Sequence, residues 1–272
     1  MTCFHLLDAM ANFKYINKLR DKLVLIFGAS SGFGYAVAEA AIEHGARVIL
    51  SGSNQDRLNR AVRNLRSSYP DVDNACLRII VCDLTQIDTL EHRLLEVFND
   101  LTNNGAIKID HIVFTADDAH RAPNVSETSP EDIYLSLRMR SYSSVILSKV
   151  VAANDFVVGS SEGSLTFTNG SSAHKPVQGW AVPAMAATSL EGLVRGLAVD
   201  LAPFRVNLVS AGPVSTELLE SLPPGVIKKY EEETLTKRLG RPEDIAEAYI
   251  YIMKDCFVTG SILFSDGGRR LA

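Results

Sequence analysis

The first pattern that could do chemistry is a set of three glycines within seven residues. They occur in Gly28-Ala-Ser-Ser-Gly32-Phe-Gly34, directly after the apolar run 22–27 and at the start of a helical pattern. Such a turn needs glycine because a side chain would block a pyrophosphate, and the last glycine lets the helix pack closely on the strand. The N–H groups at the helix start would bind phosphate oxygens. The pattern predicts a dinucleotide site formed by Gly28, Ser30, Ser31, Gly32, Phe33 and Gly34.

The residues after the second apolar run, 47–51, indicate which dinucleotide is bound. A protein that binds NAD would place Asp or Glu here to hold the ribose 2′-hydroxyl. This sequence instead reads Gly52-Ser53-Asn54, so no carboxylate would repel a 2′-phosphate. Ser53 and Asn54 can donate hydrogen bonds, and Arg57 follows one turn later. The sequence therefore predicts NADP(H) in preference to NAD(H).

Short apolar runs alternate with helical patterns along the whole chain, which indicates the elements that must position this site. The runs are rich in β-branched residues, as buried parallel strands are; they are 22–27, 47–51, 77–82, 111–115, 164–168, 205–210 and 261–265. Apolar residues at intervals of three and four predict helices over 35–44, 54–69, 89–102, 133–153 and 183–203. We predict one α/β domain over 21–272, a doubly wound (Rossmann-type) parallel sheet of seven strands, after an N-terminal extension 1–20.

Two stretches are predicted to be insertions on this frame. Residues 117–130 follow the fourth strand, and residues 213–239 follow the sixth strand. Loops beyond the carboxyl ends of parallel strands form the ligand crevice in open α/β sheets, so both are predicted to be substrate loops. The charged run 228–233 is interpreted as the solvated face of a lid helix.

Composition excludes several other classes of protein. The 272 residues are 46% hydrophobic with a net charge of −5 and no basic block, which argues against a nucleic-acid partner. No apolar run approaches the roughly 20 residues that span a bilayer. The cysteines, Cys3, Cys76, Cys82 and Cys256, show no metal-ligand spacing, so we expect no metal site and free thiols in a reducing compartment. A cytoplasmic protein is expected.

Several motifs, in order along the chain, resemble those of the short-chain dehydrogenase/reductase family. They are the glycine pattern, Asp83-Leu84, 186–203, 205–210, Gly212-Pro-Val-Ser-Thr216, 241–246 and Asp266-Gly-Gly268. The resemblance implies that Asp83 holds the adenine amino group and that Thr216 contacts the nicotinamide end. It also implies that Leu84, Ala116 and Gly212 belong to the cofactor site. Family members commonly form homotetramers through helices that include 183–203, so a tetramer is expected.

The residues with which that family does its chemistry are missing. The family uses a Tyr-x-x-x-Lys pair, a serine and an asparagine, and the matching positions here are Pro183, Ala187, Gly170 and Arg140. A neutral ketone needs its oxygen protonated as hydride arrives, so loss of the acid should cost about 10² to 10⁴ in rate. An iminium carbon already carries the positive charge. Its reduction, or a cyclisation that moves no proton, requires only orientation and electrostatics.

Three phrases resemble those of atypical fungal short-chain reductases, the malbrancheamide and paraherquamide type reductase/Diels-Alderases of indole alkaloid pathways. They are His111-Ile-Val-Phe-Thr-Ala-Asp117, Gly52-Ser-Asn54 and Gly179-Trp180. Those enzymes bind NADP(H) without the Tyr–Lys pair, reduce an iminium or activated intermediate and guide a [4+2] cyclisation. Arg140 matches an arginine that they carry. They place an aspartate three residues before the tryptophan, where this sequence has Val177.

The candidate catalytic residues are Arg140, Trp180 and Asp117. Arg140 could orient the cofactor or a substrate carbonyl, or form a surface ion pair. Trp180 could offer a π face to an indole or a cation, or fill the core. Asp117, with Asp118 and His120, could supply a carboxylate or a proton, whereas exposure is expected for His174.

Three functions remain open. The first is an NADPH-dependent reductase of an iminium-like alkaloid intermediate, coupled or not to [4+2] ring closure. The second is a non-redox cyclase or isomerase on the same scaffold. The third is a non-catalytic NADP(H) sensor that reports to a protein partner. An enclosed apolar pocket beside the nicotinamide would favour the first two, whereas a broad exposed apolar patch would favour the sensor.

Overall fold

The computed structural model describes residues 13–118 and 123–272, which form a seven-stranded parallel sheet with helices on both faces. The strands are β1 (Leu23–Phe27), β2 (Arg47–Gly52), β3 (Leu77–Val81), β4 (His111–Phe114), β5 (Ser164–Gly170), β6 (Arg205–Ala211) and β7 (Ile262–Ser265). Their order across the sheet is β3-β2-β1-β4-β5-β6-β7. All seven predicted strands are present, and the predicted doubly wound α/β fold in one domain is confirmed.

Six of the described helices form two layers, because they bury apolar residues against one face of the sheet or the other. The described helices are α1 (Gly32–Glu43), α2 (Gln55–Ser68), α3 (Ile87–Thr102), α4 (Pro130–Leu137), α5 (Ser144–Ala153), α6 (Ala181–Asp200), α7 (Glu217–Glu220), α8 (Pro224–Glu233) and α9 (Pro242–Lys254). Helices α1, α2 and α9 pack in one apolar cluster, and α3, α5 and α6 pack in the other. Within the described ranges, no helix has the length and apolar character needed to cross a membrane.

The order of the strands places the ligand crevice. The chain runs outward from β1 to β3 and then returns to β4 on the other side of β1. Strand β1 therefore pairs with both β2 and β4, and the direction of winding reverses between β1 and β4. Open α/β sheets bind ligands at such a switch point, beyond the carboxyl ends of the strands. The glycine turn after β1 and the segment after β4 meet there.

Residues 133–153 are helical as predicted, but the segment Arg138–Ser143 within them is π-helical and lies between two α-helices. The Ser143 hydroxyl shares its one hydrogen between the Arg138 carbonyl, at 3.0 Å, and the Leu84 carbonyl, at 2.8 Å. The first bond supports the widened turn, and the second ties it to the loop after β3. Apolar periodicity does not reveal one extra residue in a helix. Such π-helical turns occur frequently at functional sites, and this one carries Arg140.

The expectation that the cysteines are free thiols is confirmed for two of the three that the structure describes. Cys82 and Cys256 are free, whereas Cys76 is disulfide-bonded, so the expectation is wrong for Cys76. Spacing along a sequence does not show which cysteines meet in a fold. Cys3 and His120 lie outside the described residues. Of the predicted N-terminal extension, residues 13–20 are described, and Leu19 is fully buried against the domain.

Candidate active site

The glycine turn after β1 has no room for side chains at its two ends. Gly28 has a φ of +87°, and a Cβ there would lie 2.6 Å from the backbone nitrogen of Ala116. A Cβ on Gly34 would lie 2.6 Å from the Thr115 hydroxyl oxygen. Helix α1 therefore packs directly on the ends of β1 and β4. Its N-cap residue, Ser31, makes no side-chain capping bond, so the first-turn N–H groups suit a phosphate.

A cation lies beside the end of β2, where the sequence has no carboxylate. Asn54 caps α2, and its Oδ1 accepts a hydrogen bond from the Arg57 N–H at 3.0 Å. The Arg57 guanidinium donates to the Ser31 hydroxyl at 3.2 Å, so it bridges α2 and the glycine turn. The capping bond leaves the amide nitrogen of Asn54 as a donor. A 2′-phosphate at this edge would meet Arg57, Asn54 and Ser53.

The Asp83 carboxylate is held by its own loop. It accepts from the Thr85 N–H at 3.0 Å and the Thr85 hydroxyl at 2.8 Å, and from Gln86 at 3.3 Å. Burial raises the pKa of Asp83, but these hydrogen bonds and nearby Arg138 outweigh it, so the net pKa is lowered and the group stays ionised. The neighbouring Leu84 is buried. Asp83 therefore offers a fixed acceptor at the expected adenine end.

Two ion pairs join the segment after β4 to the π-helical segment. Arg140 pairs with Asp117, and Arg138 pairs with Asp118 at 2.8 Å. The pKa of Asp117 is raised overall. Removal from water raises it most, and the negative charge of Asp118 raises it further, whereas the positive charge of Arg140 lowers it. The sequence predicted Arg140 and Asp117 as separate candidates, and the structure brings them together. The pair lies just beyond the end of β4.

Within residues 13–118 and 123–272, the positions that match the family's serine, tyrosine and lysine hold residues without an acidic side chain. Gly170 ends β5, and Pro183 and Ala187 lie in the first two turns of α6, with Ala187 buried. Tyr249 reaches β5 from α9, but it is fully buried and bonds the Thr168 hydroxyl at 2.5 Å. Burial raises the pKa of Tyr249 well above its ordinary value. Tyr249 therefore cannot transfer a proton to a substrate.

Trp180 lies at the entrance of α6 and is 40% exposed, so it does not fill the core. The preceding Gly179 has a φ of +83°, and a Cβ there would lie 2.7 Å from Oδ1 of Asn124. The loop after β4, predicted to be a substrate loop, therefore packs against the segment that carries Trp180. Part of the indole is accessible to solvent.

The sequence analysis did not predict a cluster of polar side chains formed by His174, Asn169 and Glu191. His174 is exposed as expected, yet its Nε2 lies 2.7 Å from Oε1 of Glu191, which is buried. Asn169 donates to the same Glu191 oxygen at 3.3 Å. Glu191 lies between Ala187 and Val194 on the apolar stripe of α6. A carboxylate at a position that the helical pattern buries could have indicated this cluster from the sequence.

The segment 213–239, predicted to be a substrate loop, lies beside the glycine turn. Val214 bridges to Gly240 and closes the base of the 213–239 segment. Thr216 caps α7, and a Cβ on Gly32 would lie 3.7 Å from its methyl group. A Cβ on Gly212 would lie 2.6 Å from the Asp266 backbone, so this strand end also needs glycine. The charged run 228–233 lies on α8, as predicted for a lid helix.

The comparison with protein families now gives the class of protein. Residues 15–272 match a family described as an SDR-like Rossmann domain. The chain therefore belongs to the short-chain dehydrogenase/reductase family, and it is an enzyme of that family. A nicotinamide dinucleotide is the cofactor that this fold implies. The glycine turn, the free start of α1 and Asp83 fit such a group.

Individual relatives narrow the class. The chain is 38% identical to the short-chain dehydrogenase/reductase MalC of Malbranchea aurantiaca, over 93% of this chain and 96% of the relative. It is 36% identical to the short-chain dehydrogenase/reductase ATR9 of Stachybotrys chlorohalonatus, over 93% and 98%. The solved structure of the MalC reductase/Diels-Alderase superposes with a TM-score of 0.86 at 37% identity, over 95% of this chain and 99% of that chain. The predicted resemblance to this type is confirmed.

Proposed function

We propose that the protein is an NADPH-dependent reductase of a cyclic iminium intermediate in fungal alkaloid secondary metabolism. The observation that carries this proposal is the combination of a complete nucleotide-binding edge with Pro183 and Ala187 at the positions of the acid and its helper. A bound reduced nicotinamide supplies hydride to an electrophilic carbon. Reduction of an iminium to an amine needs no proton, so a crevice without a tyrosine acid suffices.

The side chains around the crevice suit a cationic, aromatic substrate. Trp180 offers a partly exposed π face, which attracts both indoles and cations. Asp117 places a carboxylate beside the same opening, and its pairing with Arg140 fixes its position. The segment that carries Trp180 packs on the substrate loop after β4. In this proposal these groups orient the substrate.

Arg57 supports the choice of NADPH over NADH. Its guanidinium lies between the end of β2 and the glycine turn, and it is half exposed, so it can turn to meet a 2′-phosphate. A guanidinium binds phosphate through paired hydrogen bonds. Glu217 lies 3.5 Å from Arg57, but it is largely exposed and competes weakly.

Isotope transfer tests the proposed reaction. The protein is incubated with NADPH carrying deuterium at the transferred position and with 1-methyl-3,4-dihydro-β-carboline, a tricyclic indole imine that is protonated near neutral pH. We expect one deuterium in the amine product, detected by mass spectrometry. An amine that forms without deuterium, or no consumption of the imine, would contradict the proposal. A ketone of similar size serves as the matched substrate.

A non-redox cyclase is the second candidate. A cyclisation that moves no proton also tolerates the loss of the tyrosine, and the MalC structure is described as that of a reductase/Diels-Alderase. Ring closure in the presence of NADP⁺ alone would favour this second function. The sensor hypothesis has less support, since the relatives are named as enzymes.

A further inference from the structure

The C-terminal turn contains a buried cation with partners on both sides. Arg269 follows β7, and its side chain is only 3% exposed. Its Nε and Nη2 donate to one Glu233 oxygen at 2.9 and 2.8 Å, and the guanidinium lies 5.4 Å from the centre of the Tyr230 ring. Its Nη1 donates to the Lys175 carbonyl at 3.1 Å and approaches the Ser171 hydroxyl at 3.4 Å.

These partners belong to the two segments that flank the crevice. Glu233 and Tyr230 lie on the lid helix α8, which follows β6. Ser171 and Lys175 lie in the segment after β5 that leads to Trp180. Both segments extend from the carboxyl ends of neighbouring strands, where substrate binds in open α/β sheets. Arg269 therefore joins the lid to the wall that carries Trp180.

Further contacts from the C-terminal turn strengthen this junction. The Lys175 ammonium donates back to the Arg269 carbonyl at 3.2 Å and to the Ala272 carbonyl. The Leu235 N–H, just past α8, donates to the Gly267 carbonyl at 2.8 Å. A Cβ on Gly268, which has a φ of +75°, would lie 2.7 Å from the Leu235 side chain. The turn is thus packed against both segments at once.

We propose that Arg269 is a specificity-determining positioning residue, which fixes the separation of the two walls and so favours a bulky, flat substrate. The proposal rests on the proposed function, because it concerns the substrate of that same crevice. A planar guanidinium has five donors spread over a rigid fork, so it can bond both walls at once. The lysine ammonium is a compact point charge and does not span the same distance. The guanidinium is buried and Glu233 is its only carboxylate partner among the bonds given above, so removing Glu233 leaves a buried cation without a counter-charge, and the junction should persist in solution.

The single tryptophan of the chain provides a test that does not depend on turnover. Trp180 lies on one of the joined walls, so acrylamide quenching of its fluorescence reports on that wall. The variants are Arg269→Lys and Glu233→Gln. The control is Arg270→Lys, because the partners of the Arg270 guanidinium, Asp266 and Phe264, lie outside the two joined segments. We expect stronger quenching in both variants, unchanged quenching in the control, and unchanged NADPH affinity in all three.

Substrate preference is the second readout. The ratio of kcat/KM for 1-methyl-3,4-dihydro-β-carboline to that for the small imine 2-methyl-1-pyrroline should fall about tenfold in both variants, a typical size for a change in pocket fit. If the wild-type protein reduces neither imine, the proposed function fails, and the quenching experiment still decides the role of Arg269. If Arg269→Lys does not fold, Glu233→Gln decides it. The proposal would be overturned if Glu233→Gln showed the same quenching and the same kcat/KM ratio as the wild-type protein. It would also be overturned if Arg270→Lys changed the quenching and the ratio as much as the two variants do.

Discussion

The Arg140 guanidinium is paired with the Asp117 carboxylate directly beyond the end of β4. The adjacent Arg138–Asp118 pair, at 2.8 Å, fixes the same two segments to each other. In the wider family the position of Arg140 belongs to an asparagine, and here a charged pair takes its place. Arg140 and Asp117 should therefore act as one unit, so that changing either residue alters the position of the other.

A double-mutant cycle tests this unit. Arg140→Ala should lower kcat/KM for imine reduction by about tenfold or more, roughly 1.4 kcal/mol of transition-state stabilisation. Asp117→Asn should act in the same direction, and the double variant should be little worse than either single variant, because partners in one ion pair are not additive. Arg138→Ala is the control for a purely structural effect. Full activity of Arg140→Ala would exclude a role for that residue in the reaction.

Arg57 should determine nucleotide preference. Wild-type protein should bind NADPH more tightly than NADH, and Arg57→Ala should weaken NADPH binding by about tenfold, which is roughly 1.4 kcal/mol, with little effect on NADH. Arg60→Ala, on the same helix, is the matched control because Arg60 is exposed on α2. Calorimetric titration measures all six affinities. Equal affinities of the wild-type protein for the two nucleotides would refute the assignment.

Two glycines in different surroundings should respond oppositely to alanine. Gly34→Ala forces a Cβ against Thr115 and should lower the free energy of unfolding by about 1–3 kcal/mol and weaken nucleotide binding. Gly192 lies inside α6 with no atom near its potential Cβ. Gly192→Ala should raise the free energy of unfolding by up to about 1 kcal/mol. Urea denaturation separates the two, and a tolerant Gly34→Ala would disprove the close packing.

The sequence predicted the elements well because burial periodicity is a local property. Each of the seven strands lies within a residue or two of its predicted range, and the glycine turn stands where its spacing indicated. The sequence did not predict which side chains from distant parts of the chain contact each other. Arg269 is 98 residues from Ser171 in the chain, and Arg140 is 23 residues from Asp117. Apolar periodicity assigns a residue to a face but does not show which side chain it meets there.

The π-helical segment shows the same limit at the level of one element. Its apolar residues continue the pattern of α4 and α5 closely enough that a single helix was predicted. The widened turn depends on Ser143, whose hydroxyl bonds a carbonyl in a different loop, beyond β3. A contact of that kind is decided by tertiary packing.

Assembly provides a further prediction. Exposed apolar side chains on α5 and α6, among them Val145, Met185 and Val199, suit the expected homotetramer. Light scattering should give the mass of four chains. Val145→Asp should reduce that mass, whereas Val125→Asp, at a more exposed position outside these helices, should not. A monomer at micromolar concentration would contradict the expectation.

The rate of NADPH oxidation with an iminium substrate, compared with a ketone of similar size, tests the central claim most directly. Wild-type protein should reduce 1-methyl-3,4-dihydro-β-carboline at least about 10² times faster than the ketone, because only the ketone needs an acid. Restoring the family pair with Pro183→Tyr and Ala187→Lys should not accelerate imine reduction, and the buried Ala187 position should make that variant less stable. Robust ketone reduction by the unmodified protein would contradict the account.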